Sequence, residues 1–479
     1  MRHNSILVVL GCLVFVLLSR FPFLSAGFGS DDDAWRIALS AQQLAQTGEY
    51  KASRLPGYPI PEHLAALVIE GGPIAVNMLS VLMTLIATLA FTLILIRLRC
   101  REPYLAALAF AFTPVVYIAS VSAMDYMWAM AFLLLTLLWL LYERVWLAGL
   151  ALGLAVGCRL TSIFFMIPFV ILIYNKNSIK SFVINFIILA LVSGVVMLIA
   201  YSPVYARYGW GFLKYASAPE PLPIVIGQAT VGVWGGLGVL VMGLLLLGRL
   251  GLALYGRTLS REQTALPESL SKTQTLCFWG ASGLVILLYL RLPHESGYLI
   301  PLIPFVLIGL SAILTRSHFR WLCLALIMSP FVLGIPSPLL ASFIKPSPAA
   351  LSLSLRGSHL GTERRYWIDP LQGPLLMDYQ KRVRMDNIMR KAVEYAGKLP
   401  PKSVILCEAF RSGVLYYNRG RYPESMFIEN ITERGIRQLL QSGYRVYALP
   451  GVRERMMRAQ GFDVSKLGVL PLRVEAMNP

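Results

Sequence analysis

Apolar runs recur along the first 340 residues, and no other feature limits the fold of this chain so strongly. A helix of about 20 apolar residues crosses the hydrocarbon core of a bilayer. Charged residues make up only 14% of the 479 residues, too few to cover a soluble protein of this length. The sequence therefore predicts a polytopic α-helical membrane protein with about 11 transmembrane helices. We place them at residues 5–24, 73–96, 104–121, 126–142, 146–158, 160–174, 181–201, 223–247, 276–291, 299–315 and 320–337.

Three of these segments have alternative interpretations. The first has the basic start and apolar centre of a signal peptide, and Ser25-Ala26-Gly27 fits a cleavage site. Because ten further segments follow, we interpret it as an uncleaved transmembrane helix. Segments 146–158 and 160–174 are short for two full crossings and predict a tight hairpin around Arg159.

Basic residues in the connections predict the orientation of the chain, because Lys and Arg favour cytoplasmic loops. This rule places the N-terminus inside, together with connections 97–102, 142–145, 175–180, 248–275 and 315–320. The extracytoplasmic connections are then 25–72, 120–125, 158–160, 202–222, 292–298 and everything after about residue 340. The predicted location is the plasma (inner) membrane. The net charge of +18 lacks a compact Lys/Arg block, so we expect anionic membrane lipids as partners and no nucleic acid.

The composition changes near residue 340, which predicts two domains: a transmembrane module at 1–340 and an extracytoplasmic linker with a small α/β domain at 341–479. Residues 403–409 and 444–450 have the apolar pattern of buried strands. Residues 431–443 and 452–461 are typical of helices that end at glycine. No internal repeat is visible in the sequence, which weakens the case for an inverted-repeat transporter.

Three consecutive aspartates stand in the first extracytoplasmic connection, in the stretch GFGSDDDAWRIALSAQQLAQTG (27–48). Ser30 is the expected cap of an amphipathic helix on the membrane surface, with Asp31, Asp32 and Asp33 in its first turn and Gly48 as its stop. One acid is enough to stabilise a helix start. Three repel each other, which raises a pKa or requires a cation. Capping, metal binding and catalysis all stay open from the residues alone.

A second acid, Asp125, lies at the outer mouth of the apolar segment 126–142. An ionisable group at such a position is costly unless it is used, although it is also a position at which acids start helices. The predicted orientation puts Asp125 and the three aspartates on the same side of the membrane.

The order of these features resembles that of the GT-C glycosyltransferases, polytopic enzymes that use sugars linked to a polyprenyl phosphate. The chain is similar to the bacterial enzymes related to protein O-mannosyltransferases and to the lipid A aminoarabinose transferase. The resemblance covers most of residues 1–310. It is carried by DDAWRIALSAQQLAQTGEY (32–50), RLPGYP (54–59), AMDYMWAMAFLLL (123–135), GLALGLAVGCRLTSIFFMIP (149–168) and HESGYLIPLIP (294–304). The last of these has Ser-Gly where relatives often show Arg before the Tyr.

The resemblance implies a function and roles for single residues. A sugar would move from a polyprenyl-phosphate donor to a lipid, glycan or protein acceptor. Asp32 and Asp33 would supply the base, and Asp125 would orient the acceptor. Asp32 and Asp125 are also the candidate ligands of a divalent cation, Mg²⁺ or Mn²⁺. Arg159, Arg54 and Arg291 would bind the donor phosphate. The candidates for lining the same cavity are Asp31, Trp35, Tyr58, His294 and Glu295.

Two functions of other classes also fit the sequence. A transporter or flippase of lipid-linked saccharides would place charged residues near the middle of the membrane. A non-catalytic subunit of a glycan assembly complex would use the aspartates only as helix caps.

Overall fold

A computed structural model describes residues 3–174, 178–213, 220–254, 270–336, 344–356, 363–449, 452 and 467–470. The fold is mainly helical. In chain order the helices are α1 His3–Arg20, α2 Asp32–Thr47, α3 Pro59–Val68, α4 Gly72–Arg97, α5 Pro103–Phe112, α6 Pro114–Ser120, α7 Tyr126–Leu141, α8 Val145–Cys158, α9 Met166–Ile173, α10 Ile179–Tyr208, α11 Leu222–Gly227, α12 Val233–Leu254, α13 Lys272–Arg291, α14 Ile303–Ile313, α15 Arg316–Met328, α16 Pro374–Ala396, α17 Arg411–Asn418 and α18 Glu433–Gln441.

Several of these helices identify the chain as a helical membrane protein. In the part of the chain that the structure describes, six helical segments are long and apolar enough to cross a membrane. Helices α5 and α6 are bent by 66° at their junction and make a seventh if they count as one span. Helices α7 and α8 and the segment Leu160–Ile173 are apolar but shorter. The count of 11 spans therefore stays a prediction, because it includes these short helices.

Small residues on α8 let it pack closely against α10. Gly149, Gly153 and Gly157 recur every fourth residue on one face of α8. A Cβ atom at Gly153 would lie 2.5 Å from the Cβ of Val196 on α10, so only glycine permits this approach. The close packing fixes the position of the C-terminal end of α8, and Arg159 is the next residue.

The connections predicted on the cytoplasmic side meet each other. Glu102 accepts from Arg316 Nε at 2.5 Å and pairs with Arg320 Nη2 at 2.7 Å. Arg101 donates to the carbonyl oxygen of Leu314 at 3.1 Å. Connections 97–102 and 315–320 thus share one end of the helical bundle.

The C-terminal part contains two sheets. Strands β1 (Leu351–Arg356) and β2 (Glu363–Ile368) form an antiparallel pair. Strands β3 (Ser403–Leu406), β4 (Phe427–Ile428), β5 (Arg445–Ala448) and β6 (Gly468–Val469) form a parallel sheet in the order β4-β3-β5-β6. Strands β3 and β5 occupy the two predicted strand segments, and α18 occupies the predicted helix at 431–443. The predicted helix at 452–461 lies outside the described residues, apart from Val452.

Helix α16 attaches this part to the membrane helices. The side chain of Arg382 is fully buried and pairs with Asp378 one turn earlier at 3.0 Å. Its guanidinium donates to the carbonyl oxygen of Val121 at 2.7 Å and to that of Phe23 at 3.1 Å. These bonds hold α16 against the connections that carry the two acidic sites.

Candidate functional site

The start of α2 uses the three aspartates in three different ways. Asp31, in extended conformation, is the N-cap, and its Oδ1 accepts from the backbone N–H of Asp33 at 2.8 Å. The predicted cap, Ser30, was wrong by one residue, because the carboxylate of Asp31 takes the capping bond. Asp32 Oδ2 accepts from Arg36 Nε at 2.6 Å. Asp33 Oδ2 lies 3.0 Å from Arg54 Nη1. Capping thus accounts for one acid of the three.

Arg54 joins the two acidic sites that the sequence predicted on one side of the membrane. Its Nη1 faces Asp33, and its Nη2 donates to Asp125 Oδ1 at 3.2 Å. The second oxygen of Asp125 accepts from Arg159 Nη1 at 2.5 Å. Asp125 stands at the start of α7, but its carboxylate, which is 0% exposed, is turned to these two arginines. One buried anion therefore holds two guanidinium groups.

The conformation after α8 directs Arg159 toward this anion. The backbone leaves the helix in an extended conformation at Arg159, with φ −155° and ψ 113°. Its guanidinium lies over the ring of Tyr126 at 4.6 Å and over that of Tyr298 at 4.7 Å. Aromatic faces attract cations, so the two rings and Asp125 together offset the cost of partly burying this charge.

Glu62, which was not among the predicted site residues, shapes the loop that carries Arg54. Its carboxylate is fully buried and accepts from the Tyr50 hydroxyl, from the backbone N–H of Ser53 at 2.7 Å and from that of Tyr58 at 3.2 Å. A buried carboxylate is costly unless hydrogen bonds satisfy it, and these donors all come from residues 50–58. The signal in the sequence was an acid in the first turn of the proline-initiated helix α3.

A cavity of about 570 Å³ opens beside these groups. Its charged and polar lining residues, here named the polar end, include Asp33, Glu295 and His294, together with Arg36, Arg54, Arg159 and Arg291. Its apolar wall comes mainly from helices α7 and α13 and the 3₁₀ segments Leu160–Phe165 and Ser296–Leu302, through Leu133, Phe165, Val285, Leu288 and Ile300. The cavity is therefore amphipathic, with more arginines than carboxylates at its polar end.

The predicted cavity residues have different positions. Tyr58, His294 and Glu295 line the cavity, and the Tyr58 ring lies 4.3 Å beneath the Arg54 guanidinium. His294 Nδ1 is 3.2 Å from Glu220 Oε1. The prediction for Trp35 was wrong. Its ring is buried against Phe28, and its Nε1 donates to the Gly29 carbonyl at 3.1 Å, because the apolar face of α2 turns inward.

Asp31, predicted to line the cavity, is not among its lining residues. It approaches Asp33 and Glu295, and one oxygen of each of the three lies within 4.8 Å of the other two. The Tyr126 hydroxyl donates a hydrogen bond to Glu295 Oε2. Burial raises the pKa of Asp33 to about 6; Arg54 opposes this shift and Asp31 adds to it. Burial, together with the charge of Asp31, raises the pKa of Glu295 to about 7. Both carboxyls therefore titrate near neutral pH.

The expected cation ligands, Asp32 and Asp125, do not fit a shared metal site. Each oxygen of Asp125 is bonded to an arginine, and Asp32 Oδ2 is bonded to Arg36. A divalent cation at Asp125 would have to displace one of its two guanidinium groups. The positive charge beside Asp33 and Asp125 comes from arginine.

Asp32 and Asp125 also lie apart from the cavity surface that Asp33 reaches. The Asp32 carboxylate faces Arg36 and Ser412, whereas Asp125 lies beneath Arg54 and Arg159. Of the three acids predicted to be catalytic, Asp33 is the one among the lining residues.

A scan of protein-family models and a search of curated proteins find nothing that matches this chain.

Proposed function

We propose that this protein is a membrane glycosyltransferase of GT-C type. It transfers one sugar from a polyprenyl-phosphate donor to a hydroxyl group of a lipid, glycan or protein acceptor at the extracytoplasmic face. The observation that carries this proposal is the cavity, whose lining combines carboxylates and arginines with apolar side chains.

The apolar and the charged lining residues suit the two parts of such a donor. A polyprenyl chain needs an apolar groove, which Leu133, Phe165 and Leu288 provide. A phosphate needs hydrogen-bonding cations, and guanidinium groups bind phosphate oxygens in pairs. Arg54 and Arg159 supply them, 15% and 18% exposed respectively, so the interaction takes place with little surrounding water.

Asp33 is the proposed base. The acceptor hydroxyl attacks the anomeric carbon, and its proton passes to the Asp33 carboxylate. The new bond joins the acceptor oxygen to that carbon, while the bond from the carbon to the phosphate oxygen breaks. The electron pair of this bond leaves with the polyprenyl phosphate, and Arg54 and Arg159 stabilise the added negative charge. A single displacement of this kind inverts the configuration at the anomeric carbon.

Asp125 acts on the donor through the arginines. It is fully buried below Arg54 and Arg159 and holds both guanidinium groups at the polar end. Arg291 lines the same cavity and is a further cation for the phosphate.

The extracytoplasmic position of the reaction follows from the predicted orientation. Connections 25–72, 158–160, 202–222 and 292–298 all contribute lining residues. Connection 120–125 contributes Asp125, which lies directly below them. The convergence of five connections predicted on one side supports a site at that face of the membrane.

An assay of sugar transfer in reconstituted vesicles tests the proposal. The probe is a polyprenyl-phosphate-linked radioactive sugar, presented with a cell-envelope extract as the source of acceptors. Asp33→Asn removes the base and should lower the rate about 10²- to 10⁴-fold. Asp31→Asn is the matched control, because asparagine also caps helices, and it should keep most of the activity.

Three results would count against the proposal. Full activity of Asp33→Asn would remove the assigned base. Movement of the labelled carrier across the vesicle membrane without loss of its sugar would indicate a flippase. Loss of a glycan assembly complex in the variants, with unchanged product, would indicate a non-catalytic subunit.

A further inference from the structure

The C-terminal sheet unit (residues 403–449) packs directly on the helix that carries the proposed base. Helix α17 of this unit contacts α2 through an aromatic cluster around Trp35. The Trp35 ring lies 6.2 Å from that of Tyr416 and 5.7 Å from that of Tyr417. Gly413 fits against Trp35, where an added Cβ would come within 2.9 Å of the ring. The contact is therefore close and specific to small residues at this position.

Two polar groups of the same unit reach the first turn of α2. Arg36 donates from Nε to Asp32 at 2.6 Å and from Nη2 to Glu429 Oε1 at 2.7 Å. Glu429 directly follows strand β4. The side chain of Ser412, near the start of α17, faces the Asp32 carboxylate. Asp32 thus bonds Arg36 of its own helix, which Glu429 also binds, and faces Ser412 of the C-terminal sheet unit.

This network borders the cavity. Arg36 is one of the lining residues, and Asp33, which follows Asp32 in the chain, is another. The direction of the Asp33 side chain depends on how the first turn of α2 is held. Glu429 and Ser412 hold that turn from outside the membrane helices.

We infer that Glu429 and Ser412 are positioning residues, through which the C-terminal sheet unit sets the geometry of Asp32, Arg36 and thereby Asp33. The inference rests on the proposed function in that Asp33 is taken as the base. It gives the C-terminal sheet unit a part in catalysis, although its own residues stay outside the cavity.

The exposure of the ion pair distinguishes positioning from stabilisation. Arg36 and Glu429 are 34% and 35% exposed, and ion pairs of this kind contribute little to the free energy of folding. Removing Glu429 should therefore leave the unfolding temperature nearly unchanged while it loosens the start of α2. If Glu429 served only stability, its removal would lower the unfolding temperature and the transfer activity together.

The test uses the full-length protein and the variants Glu429→Gln and Ser412→Ala. Glu433→Gln is the matched control, because Glu433 lies in the same unit but pairs only with Arg437 of its own helix in the part of the chain that the structure describes. The measurements are the unfolding temperature, amide hydrogen exchange of a peptide covering residues 30–38, and kcat and KM with the labelled donor.

The expected results separate the two proposals. Glu429→Gln should speed exchange in residues 30–38 about threefold and lower kcat about fivefold, with KM for the donor unchanged. Combined with Asp32→Asn, it should add little to the effect of Asp32→Asn alone, because both act on one network.

Unchanged exchange in Glu429→Gln and in Ser412→Ala would overturn the inference, whether or not the protein transfers a sugar. Equal effects of Glu433→Gln would do the same. Faster exchange in a protein whose unaltered form has no transferase activity would support the contact with α2 and refute the proposed function.

Discussion

The carboxylate of Asp125 and the guanidinium of Arg159 meet at 2.5 Å, although 34 residues separate them in the chain. Arg54 approaches the same carboxylate from a third connection at 3.2 Å. The buried Asp125 carboxylate thus joins three connections beside the cavity. Leaving any of these charges without its partner is costly, so substitutions test the arrangement.

Replacing Asp125 by asparagine keeps the shape of the side chain and removes its charge. Two partly buried guanidinium groups then lose their common counter-ion, so we expect a loss of about 3 kcal/mol in the free energy of unfolding. Transfer activity should fall about 100-fold, because the cations at the phosphate site lose their positions. Thermal unfolding in detergent and the vesicle assay measure the two effects.

Glu102 provides a matched control for this change. It also holds two arginines, Arg316 and Arg320, but their side chains are 69% and 50% exposed. Glu102→Gln should therefore cost less than about 1 kcal/mol and leave transfer intact. Equal losses in Glu102→Gln and Asp125→Asn would contradict a special role for the buried carboxylate.

Arg159→Lys tests the phosphate site. Lysine keeps the charge but lacks the planar fork that binds two phosphate oxygens and stacks on aromatic rings such as those of Tyr126 and Tyr298. We expect polyprenyl phosphate to bind about tenfold more weakly, measured as product inhibition of transfer. Arg207→Lys is the control, because Arg207 bonds the Tyr50 carbonyl at 3.0 Å and lies outside the cavity lining. Unchanged inhibition of Arg159→Lys would remove this residue from the phosphate site.

Glu62→Gln tests the residue that shapes the Arg54 loop. Glutamine presents an NH₂ group to donors that need an acceptor, which leaves buried N–H or O–H groups unpaired. The expected cost is about 2 kcal/mol of stability, with a fall in kcat as Arg54 shifts. Glu70→Gln changes an exposed acid just beyond α3 and should leave both quantities unchanged. Wild-type kcat in Glu62→Gln would show that the loop holds Arg54 without this carboxylate.

The pH dependence of stability follows from the raised pKa values of Asp33, about 6, and Glu295, about 7. The native state binds these protons more tightly than the unfolded chain, whose carboxyls titrate near 4. Their contribution to stability is therefore complete below pH 4 and is lost as the pH rises through 6 and 7. In Glu295→Gln only the Asp33 contribution is left. The unfolding temperature of this variant should therefore fall over a narrower pH range than that of the unaltered protein, ending near pH 6.

Activity should change with pH in the opposite direction. Asp33 must be ionised to accept a proton, so kcat/KM should rise as the pH increases through about 6. A pH profile between 4.5 and 8.5 measures this rise. A flat profile, or stability that increases between pH 4 and 7, would contradict the assignment of Asp33 as the base.

Hydropathy along the chain was enough to predict a helical membrane protein. Backbone N–H and C=O groups inside lipid must hydrogen-bond to each other, so a long apolar segment in the membrane forms a helix. The sequence also indicated the stretch 27–48 and the acid Asp125 as sites of interest, since charges beside apolar segments are costly. The ends of α2 were nearly correct for a local reason: Gly48 adopts the left-handed conformation, with φ 71°, that stops a helix.

Only the tertiary structure decided which groups meet. Asp31, Asp32 and Asp33 are neighbours in the sequence, yet one caps, one faces Arg36 and one enters the cavity. Asp33 pairs with Arg54, which also binds Asp125, and Asp32 pairs with Arg36, which also binds Glu429. Hydropathy and capping depend on a few adjacent residues, and the sequence alone determines them. The pairing of charges depends on distances between helices that are far apart in the chain, and close packing sets those distances.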